Sequence, residues 1–291
     1  MPDKKPSIGI VGCGRMGTAL GKTLAGLGYP FAGVSSLHVS SARRVADLCG
    51  IETVSDQPWE MTHRAGVVFI TTPDDVIMPV CRRIAEEGGF ASQPVVLHCS
   101  GAHPSTILES ARLSGASIGS MHPLQSFASI DIQGNPFDGI RVAIEGDHQA
   151  ILTASCIATD LGATPFEIQT DGKALYHAAA VVASNFLVTL MDVAFRLAEK
   201  SGIPPEAAFS VLRPLIDGTL ANIGKVGICQ ALTGPVVRGD FQTVETHIEK
   251  IGQTIPEILP FYQSMIQFTA QLAKTGGRIT DDTLQQFMKM G

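Results

Sequence analysis

Residues 7–28 read SIGIVGCGRMGTALGKTLAGLG. Residues 7–12 form a short apolar run of strand character. From Met16 to Gly28 the apolar positions return with a helical period. Between the two, Gly12-Cys13-Gly14-Arg15-Met16-Gly17 fits the pattern G-x-G-x-x-G. The pattern alone is weak, but here a strand precedes it and a helix follows, which is the setting it needs. Gly12 permits a tight turn, Gly14 lets the backbone approach a pyrophosphate, and Gly17 lets the helix pack close to the strand. The helix N-terminus adds free N–H groups and a partial positive charge. Residues 12–17 are therefore candidate cofactor contacts, Cys13, Arg15 and Met16 included.

A loop of this kind that serves NAD carries an acidic residue about twenty positions on, which bonds the ribose 2′-hydroxyl. Residues 32–46 contain no Asp or Glu. Ser35, Ser36, Ser40 and Ser41 offer hydroxyls there, and Arg43 and Arg44 offer charge at the start of the next helix. That set suits a 2′-phosphate, so the expected cofactor is NADP rather than NAD.

Outward from this unit the alternation continues. Strands are predicted at 31–36, 53–55, 66–73, 94–101, 117–124, 140–146 and 164–168. Helices lie between them, one from Asp74 to about Glu87, one capped by Ser105 and one over about 148–161. Strands alternating with helices imply parallel β-α-β units. After residue 170 no strand is predicted, and helical patterns cover about 173–200, 205–221, 240–274 and 280–290. The expected fold class is α/β. A Rossmann dinucleotide-binding domain over residues 1–170 precedes an all-helical substrate or dimerisation domain over 171–291.

In α/β sheets, ligands bind at the C-terminal ends of the strands. Thr71, Thr72 and Pro73 end one strong strand and are expected at the nicotinamide side of the cofactor. Ser100-Gly101 ends the next and His122-Pro123 the one after, giving Ser100, Gly101 and His122 as candidate substrate contacts. His98, Cys99, His103 and His122 show no recurring ligand spacing, and no metal is expected.

The totals narrow the classes. The 291 residues are 45% hydrophobic and 16% charged, with a net charge of −6 and no basic block. Nucleic acid is not the expected partner, because phosphate binding needs clustered Lys and Arg. No run of about 18 apolar residues is evident, so no membrane span is expected. The N-terminal residues lack the features of a secretory signal. The six cysteines are scattered with no C-x-x-C pair, which argues against a disulfide framework or structural zinc. A cytoplasmic protein acting on a small molecule is the expectation.

Residues 173–186, KALYHAAAVVASNF, carry a cation, an imidazole, a hydroxyl and an amide on an otherwise apolar helix. At about 100° per residue, Lys173, His177 and Ser184 fall within roughly 40° of one another. Carbonyl reduction by a nicotinamide needs stabilisation of the oxygen and a proton source. Lys173 can supply both, and a desolvated lysine titrates lower than usual. His177 is the competing acid. Lys173, His177 and Asn185 are the candidate catalytic residues, with Ser184 a further substrate contact. In LTGPVVRGD, residues 232–240, Arg238 can fork onto a substrate carboxylate or pair with Asp240 at the start of the next helix. Asn222, at a Gly-bounded helix end, is open in role, and His247 is expected on a helix surface or interface.

These features resemble the 6-phosphogluconate and β-hydroxyacid dehydrogenase superfamily, which includes ketopantoate reductase and pyrroline-5-carboxylate reductase. GSMHPLQSF, YHAAAVVASNF and LTGPVVRGD look more closely like a bacterial family with a Rossmann-like domain and a C-terminal domain of unknown function. The resemblance implies an NADP-binding domain, an all-helical second domain and homodimers. It points to ketopantoate as the most specific substrate. In β-hydroxyacid dehydrogenases a lysine on the first interdomain helix is followed four residues later by asparagine. Lys173 matches the lysine, His177 stands in the second place, and the nearest asparagine is Asn185. Ser100-Gly101 resembles that group's substrate-binding Ser-Gly, with Ala102 where a further glycine is usual. Three readings follow: an NADP-dependent reductase of a small 2-oxo acid, an imine reductase of the pyrroline-5-carboxylate type, and a dinucleotide-binding regulator without turnover.

Overall fold

The computed structural model describes residues 5–127 and 134–290. The chain divides into two compact units, the first ending at Ala183 and the second beginning at Ser184.

The first unit is a single eight-stranded sheet with helices between its strands. Its strands are β1 (Ile8–Val11), β2 (Phe31–Ser35), β3 (Val54–Ser55), β4 (Val67–Ile70), β5 (Val95–His98), β6 (Ser117–Pro123), β7 (Arg141–Gly146) and β8 (Thr164–Glu167). Their order is β3-β2-β1-β4-β5-β6-β7-β8. The helices are α1 (Arg15–Gly26), α2 (Val39–Cys49), α3 (Trp59–Thr62), α4 (Asp74–Glu86), α5 (Glu109–Leu113), α6 (His148–Asp160) and α7 (Lys173–Ala183).

Period-two alternation builds the two cores. Ile8, Ile10, Phe69 and Leu97 turn to one face with Leu20, Leu24 and Val34. Val11, Val68, Ile70 and Val96 turn to the other with Ile77, Ile84 and Ile118. Strands buried on both faces read as continuous apolar runs, as these do. The strands from β3 to β6 are parallel, so their C-terminal ends share one edge. The order switches between β1 and β4, and the loops after those two strands lie side by side.

Several features depart from the sequence reading. β7 runs antiparallel to β6, setting Glu145 opposite Ser120. β4 and β5 stop at Ile70 and His98, which leaves Thr71–Pro73 and Cys99–Gly101 in loops rather than strands. Ser105 does not cap a helix. It opens a 3-10 turn, Ser105–Leu108, and its hydroxyl donates to Glu145. The helix expected over 173–200 is interrupted at Ser184, whose φ is −119°, so the polar stripe from Lys173 does not continue unbroken to Ser184. The expected boundary near residue 170 falls before α7. The first unit keeps α7 because Lys173 and Tyr176 are bonded to β6 and β7 side chains.

The second unit is helical: α8 (Asn185–Lys200), α9 (Pro205–Val226), α10 (Ile228–Ala231), α11 (Pro235–Arg238), α12 (Phe241–Thr254), α13 (Leu259–Thr275) and α14 (Asp281–Met288). The predicted helix over 240–274 is divided into α12 and α13, with a 3-10 turn at Pro256–Ile258. Pro256 lacks an N–H and forces its predecessor Ile255 out of the helical region, to φ −144° and ψ 68°. The unit's cores are small. One gathers Val236, Val244, Ile266, Ala270 and Phe287, the other Ile251, Ile255 and Ile258. Residues 173–200 have a mean hydropathy of 1.8 in their most apolar window and are long enough to cross a membrane by length and composition. The stretch is interrupted at Ser184 and contains His177, Asn185 and Asp192.

Candidate active site

The glycine loop has the geometry its residues require. Gly12 sits at φ +105°, and a Cβ there would lie 2.7 Å from the Thr72 nitrogen. A Cβ on Gly17 would come within 2.0 Å of the Gly12 oxygen, whereas one on Gly14 would meet nothing within 4 Å. The loop is thus closed against β4 at Gly12 and Gly17 and open at Gly14. No side chain caps the start of α1 and no acidic residue lies in its first turn, so its N–H groups remain available to an anion. Thr71 Oγ1 donates to the Gly12 oxygen at 2.6 Å, and Thr18 Oγ1 to the Gly14 oxygen at 2.7 Å. A cleft of about 380 Å³ opens here, lined by Val11–Gly14, Ser35–Leu37 and Thr71–Pro73.

These residues fit a dinucleotide. Gly14 leaves the approach free, and the buried hydroxyl of Thr72 has no partner within the protein. Cys13 serves the scaffold. Its thiol lies 3.5 Å from the Ser35 oxygen and is pushed up to about 12 by burial. Ser35 is buried and its carbonyl accepts from the Gly12 nitrogen at 2.7 Å, so Ser36 is the more accessible of the pair. Arg44 reaches the Cys13 oxygen at 3.5 Å, and Arg15 the Phe127 oxygen at 3.5 Å. Met16 packs against the sheet core. Asp56, one residue past β3, also lines the cleft. The sequence reading missed it because it searched for an acid after β2; the signal was an acid closing the neighbouring strand.

Beyond β5 and β6 lies a sealed polar network. Lys173 is 1% exposed, its ammonium 3.6 Å from Glu145 Oε1 and donating to Ser120 Oγ. Glu145 also accepts from the Ser105 nitrogen (2.8 Å), the Ser105 hydroxyl (2.7 Å) and the Thr170 hydroxyl (2.9 Å). A buried carboxylate needs such a set of donors. Burial pulls the Lys173 ammonium below its ordinary range, and Glu145 pulls it back. Lys173 is therefore the internal partner of Glu145.

Three imidazoles surround this network. His98 is wholly buried, its Nδ1 accepts from the Ser100 nitrogen at 3.1 Å, and its Nε2 has no partner. Burial, and then the Lys173 cation, push it down to about 3. His122 Nδ1 lies 2.7 Å from the Tyr176 hydroxyl, with the rings edge-on at 84°. Burial, Lys173 and His177 push His122 down to about 4, against a smaller opposing pull from Asp74. His177 Nδ1 is buried without a partner. A Cβ on Gly101 would lie 2.5 Å from that atom and 2.8 Å from His122 Nε2, so Gly101 is the residue that lets both rings approach one point.

Ser100 is engaged in its own loop. It donates to Asp74 Oδ2 at 2.9 Å and accepts from the Ala102 and His103 nitrogens at 3.1 and 3.2 Å. Asp74 directly follows Pro73, so this bond ties the cofactor cleft to the histidine cluster. The first unit thus brings together Lys173, His177, His122, Ser100 and Gly101, with Glu145, Asp74 and Tyr176 added. Ser184, Asn185 and Arg238 belong to the second unit. The Asn185 oxygen accepts from Thr189 at 3.5 Å. Arg238 stands 3.9 Å from Asp240, which caps α12 through the Thr243 nitrogen at 3.1 Å. His247 Nδ1 is 2.8 Å from the Tyr262 hydroxyl. Among the described residues, no three His, Cys, Asp or Glu side chains are grouped to hold a metal ion.

Residues 2–123 match the model of a Rossmann-like domain, and residues 140–269 match a domain of unknown function, DUF2520. No curated protein sequence matches the chain. Among solved structures, protein TM1727 from Thermotoga maritima is 26% identical with a TM-score of 0.70, covering 92% of this chain and 98% of that one. An imine reductase from Myxococcus stipitatus in complex with NADP+ is 17% identical with a TM-score of 0.67, covering 97% and 100%. A pyrroline-5-carboxylate reductase from Coxiella burnetii is 14% identical with a TM-score of 0.57, covering 94% and 99%. The last two likenesses are of fold.

Proposed function

We propose that this chain, a Rossmann-like domain joined to a DUF2520 domain, is an NADP-dependent oxidoreductase that reduces a small 2-oxo acid. The observation that carries the reading is the Asp74–Ser100 bond. It joins a dinucleotide cleft with an unpartnered Thr72 hydroxyl to a cluster of neutral imidazoles at the ends of β5 and β6. The bound cofactor supplies the hydride. Gly12–Gly17 and the start of α1 hold the pyrophosphate, and Thr72 bonds the cofactor on its β4 side. Ser36, Arg43 and Arg44 favour the 2′-phosphate, while Asp56 is placed to bond a ribose hydroxyl. His122 and His177 face the reacting oxygen. Lys173 fixes the start of α7. Ser184, Asn185 and Arg238 stay as candidates for the substrate's other oxygens, and ketopantoate is the first acid to try.

A second reading is reduction of an imine. The Lys173 charge is taken up by Glu145, while Asp74 stays exposed as an acid beside Ser100. A carboxylate there favours a protonated C=N group over an anionic substrate. The imine reductases and pyrroline-5-carboxylate reductases of like fold add support.

We take the active form to be a cytosolic homodimer. All six cysteines are unpaired, as suits a reducing compartment. Val188 and Leu215 are 71% and 69% exposed on α8 and α9 of the second unit, and a second copy offers the same apolar side chains in return.

The test is titration with NADPH and NADH, followed by ketopantoate, other oxo acids and cyclic imines, with absorbance of the reduced cofactor recorded. Oxidation on an oxo acid supports the first reading and on an imine the second. Binding without turnover leaves a dinucleotide-dependent regulator, and no binding removes the proposal.

A further inference from the structure

We infer that Tyr176 is a positioning residue. It holds His122 in the tautomer whose proton is on Nε2, making His122 a neutral hydrogen-bond donor to the substrate oxygen. The inference rests on the reductase reading and assigns the oxygen-binding group within that site.

The argument starts from the hydrogen bond between the Tyr176 hydroxyl and His122 Nδ1, 2.7 Å long. The phenol ring is held edge-on to Phe166, centroids 6.2 Å apart, so its hydroxyl is directed by packing. Burial pushes Tyr176 up to about 12, and the phenol keeps its proton at every working pH. A phenol that donates leaves Nδ1 as the acceptor, and the single ring proton of neutral imidazole then sits on Nε2. Nε2 points to the space that Gly101 keeps clear, where the unpartnered Nδ1 of His177 also lies.

The surroundings of His122 keep it uncharged. Burial, then Lys173 and His177 from α7, outweigh the opposing pull of Asp74 from α4, and the result is a fall to about 4. A neutral imidazole whose N–H meets developing negative charge stabilises a transition state without first being protonated. In the step served, the hydride makes the new C–H bond. The carbonyl π pair moves to oxygen, and the oxygen takes its proton from water. His122 keeps its own proton throughout.

The experiment is nitrogen NMR of the full chain labelled with ¹⁵N-histidine, without cofactor, from about pH 8 to about 5, with the His122 signal assigned by its loss in His122→Asn. The expected result is a His122 ring with Nδ1 bare and Nε2 protonated throughout, and a mixture of tautomers in Tyr176→Phe. A protonated Nδ1 in the wild type, or an unchanged spectrum in Tyr176→Phe, overturns the inference. As a kinetic check, Tyr176→Phe lowers kcat at least about tenfold, the usual scale for a group that orients a catalytic side chain, with NADPH affinity unchanged. Gly101→Ala, which pushes both rings, lowers kcat further. Equal kcat in Tyr176→Phe and wild type also overturns it. A wild type that turns over no substrate defeats the reductase reading, while the tautomer measurement still decides the Tyr176–His122 assignment.

Discussion

The sheet unit and the helical unit treat their side chains in opposite ways. In the first, Ile8, Ile10, Val34 and Phe69 are completely buried, and even a lysine and a glutamate are sealed at 1% exposure. In the second, α8 and α9 leave Val188 and Leu215 mostly in solvent, and the cores are a handful of residues each. A two-faced sheet between helices closes on itself, so polar groups trapped inside must satisfy one another. A few helices with narrow cores leave apolar side chains in solvent. The difference teaches where to look for each property: the internal polar chemistry in the sheet unit, the exposed apolar surface in the helical one.

The comparison is broken most severely at Glu145. Glu145→Gln leaves the Lys173 ammonium buried without its counter-charge, and stability falls by about 3–5 kcal/mol in urea unfolding. The double variant Glu145→Gln with Lys173→Met recovers most of the loss. A loss below about 1 kcal/mol in the single variant would show that water reaches the pair.

On the helical side, Leu215→Glu places a charge in the exposed apolar face. Burying a leucine contributes about 1.5–3 kcal/mol, so the proposed homodimer weakens at least tenfold in light scattering while the monomer keeps its helicity. An unchanged mass would move the contact off α9.

Acid sharpens the contrast, because the wholly buried His98 lies in the sheet unit. His98 is held near 3, below the ordinary 6.5, so the native state keeps it neutral where the unfolded chain takes up a proton. Its contribution is complete above about pH 6.5. It declines by about 1.4 kcal/mol per pH unit as pH falls toward about 3, and His122 acts in the same direction. His98→Asn flattens that slope, and equal slopes in variant and wild type would place the acid sensitivity elsewhere.

The smallest effect concerns the unpartnered hydroxyl in the cofactor cleft. Thr72→Val leaves the cofactor-free protein as stable or slightly more so, and weakens NADPH binding by about 1 kcal/mol, roughly fivefold. Calorimetric titration checks it, and undiminished affinity would remove Thr72 from the cofactor contacts.

Much of this was legible in the chain because its signals are local. The glycine loop needs only Gly12, Gly14 and Gly17 in order, and the alternating strands need only their neighbours. What escaped depends on partners far apart in sequence. Nothing near Glu145 says that β7 reverses direction and sets it opposite Ser120. Ser105 reads as a cap until a carboxylate forty residues later claims its hydroxyl. Tyr176 passes for one more apolar residue of α7, since its role lies in a hydrogen bond to His122. Lys173 can be singled out on its helix from the sequence, but neither its burial nor the carboxylate that engages it can be read from its sequence neighbours.

The sealed network also has a direction in time. Ser105, Ser120, Glu145 and Thr170 all precede Lys173, and His122 precedes Tyr176. During synthesis every partner is present once residue 176 has emerged, while the helical unit is still unmade. Domains generally fold in order from the N-terminus as they are made. The chain can therefore close its most costly buried contacts first, and leave its exposed apolar helices for last.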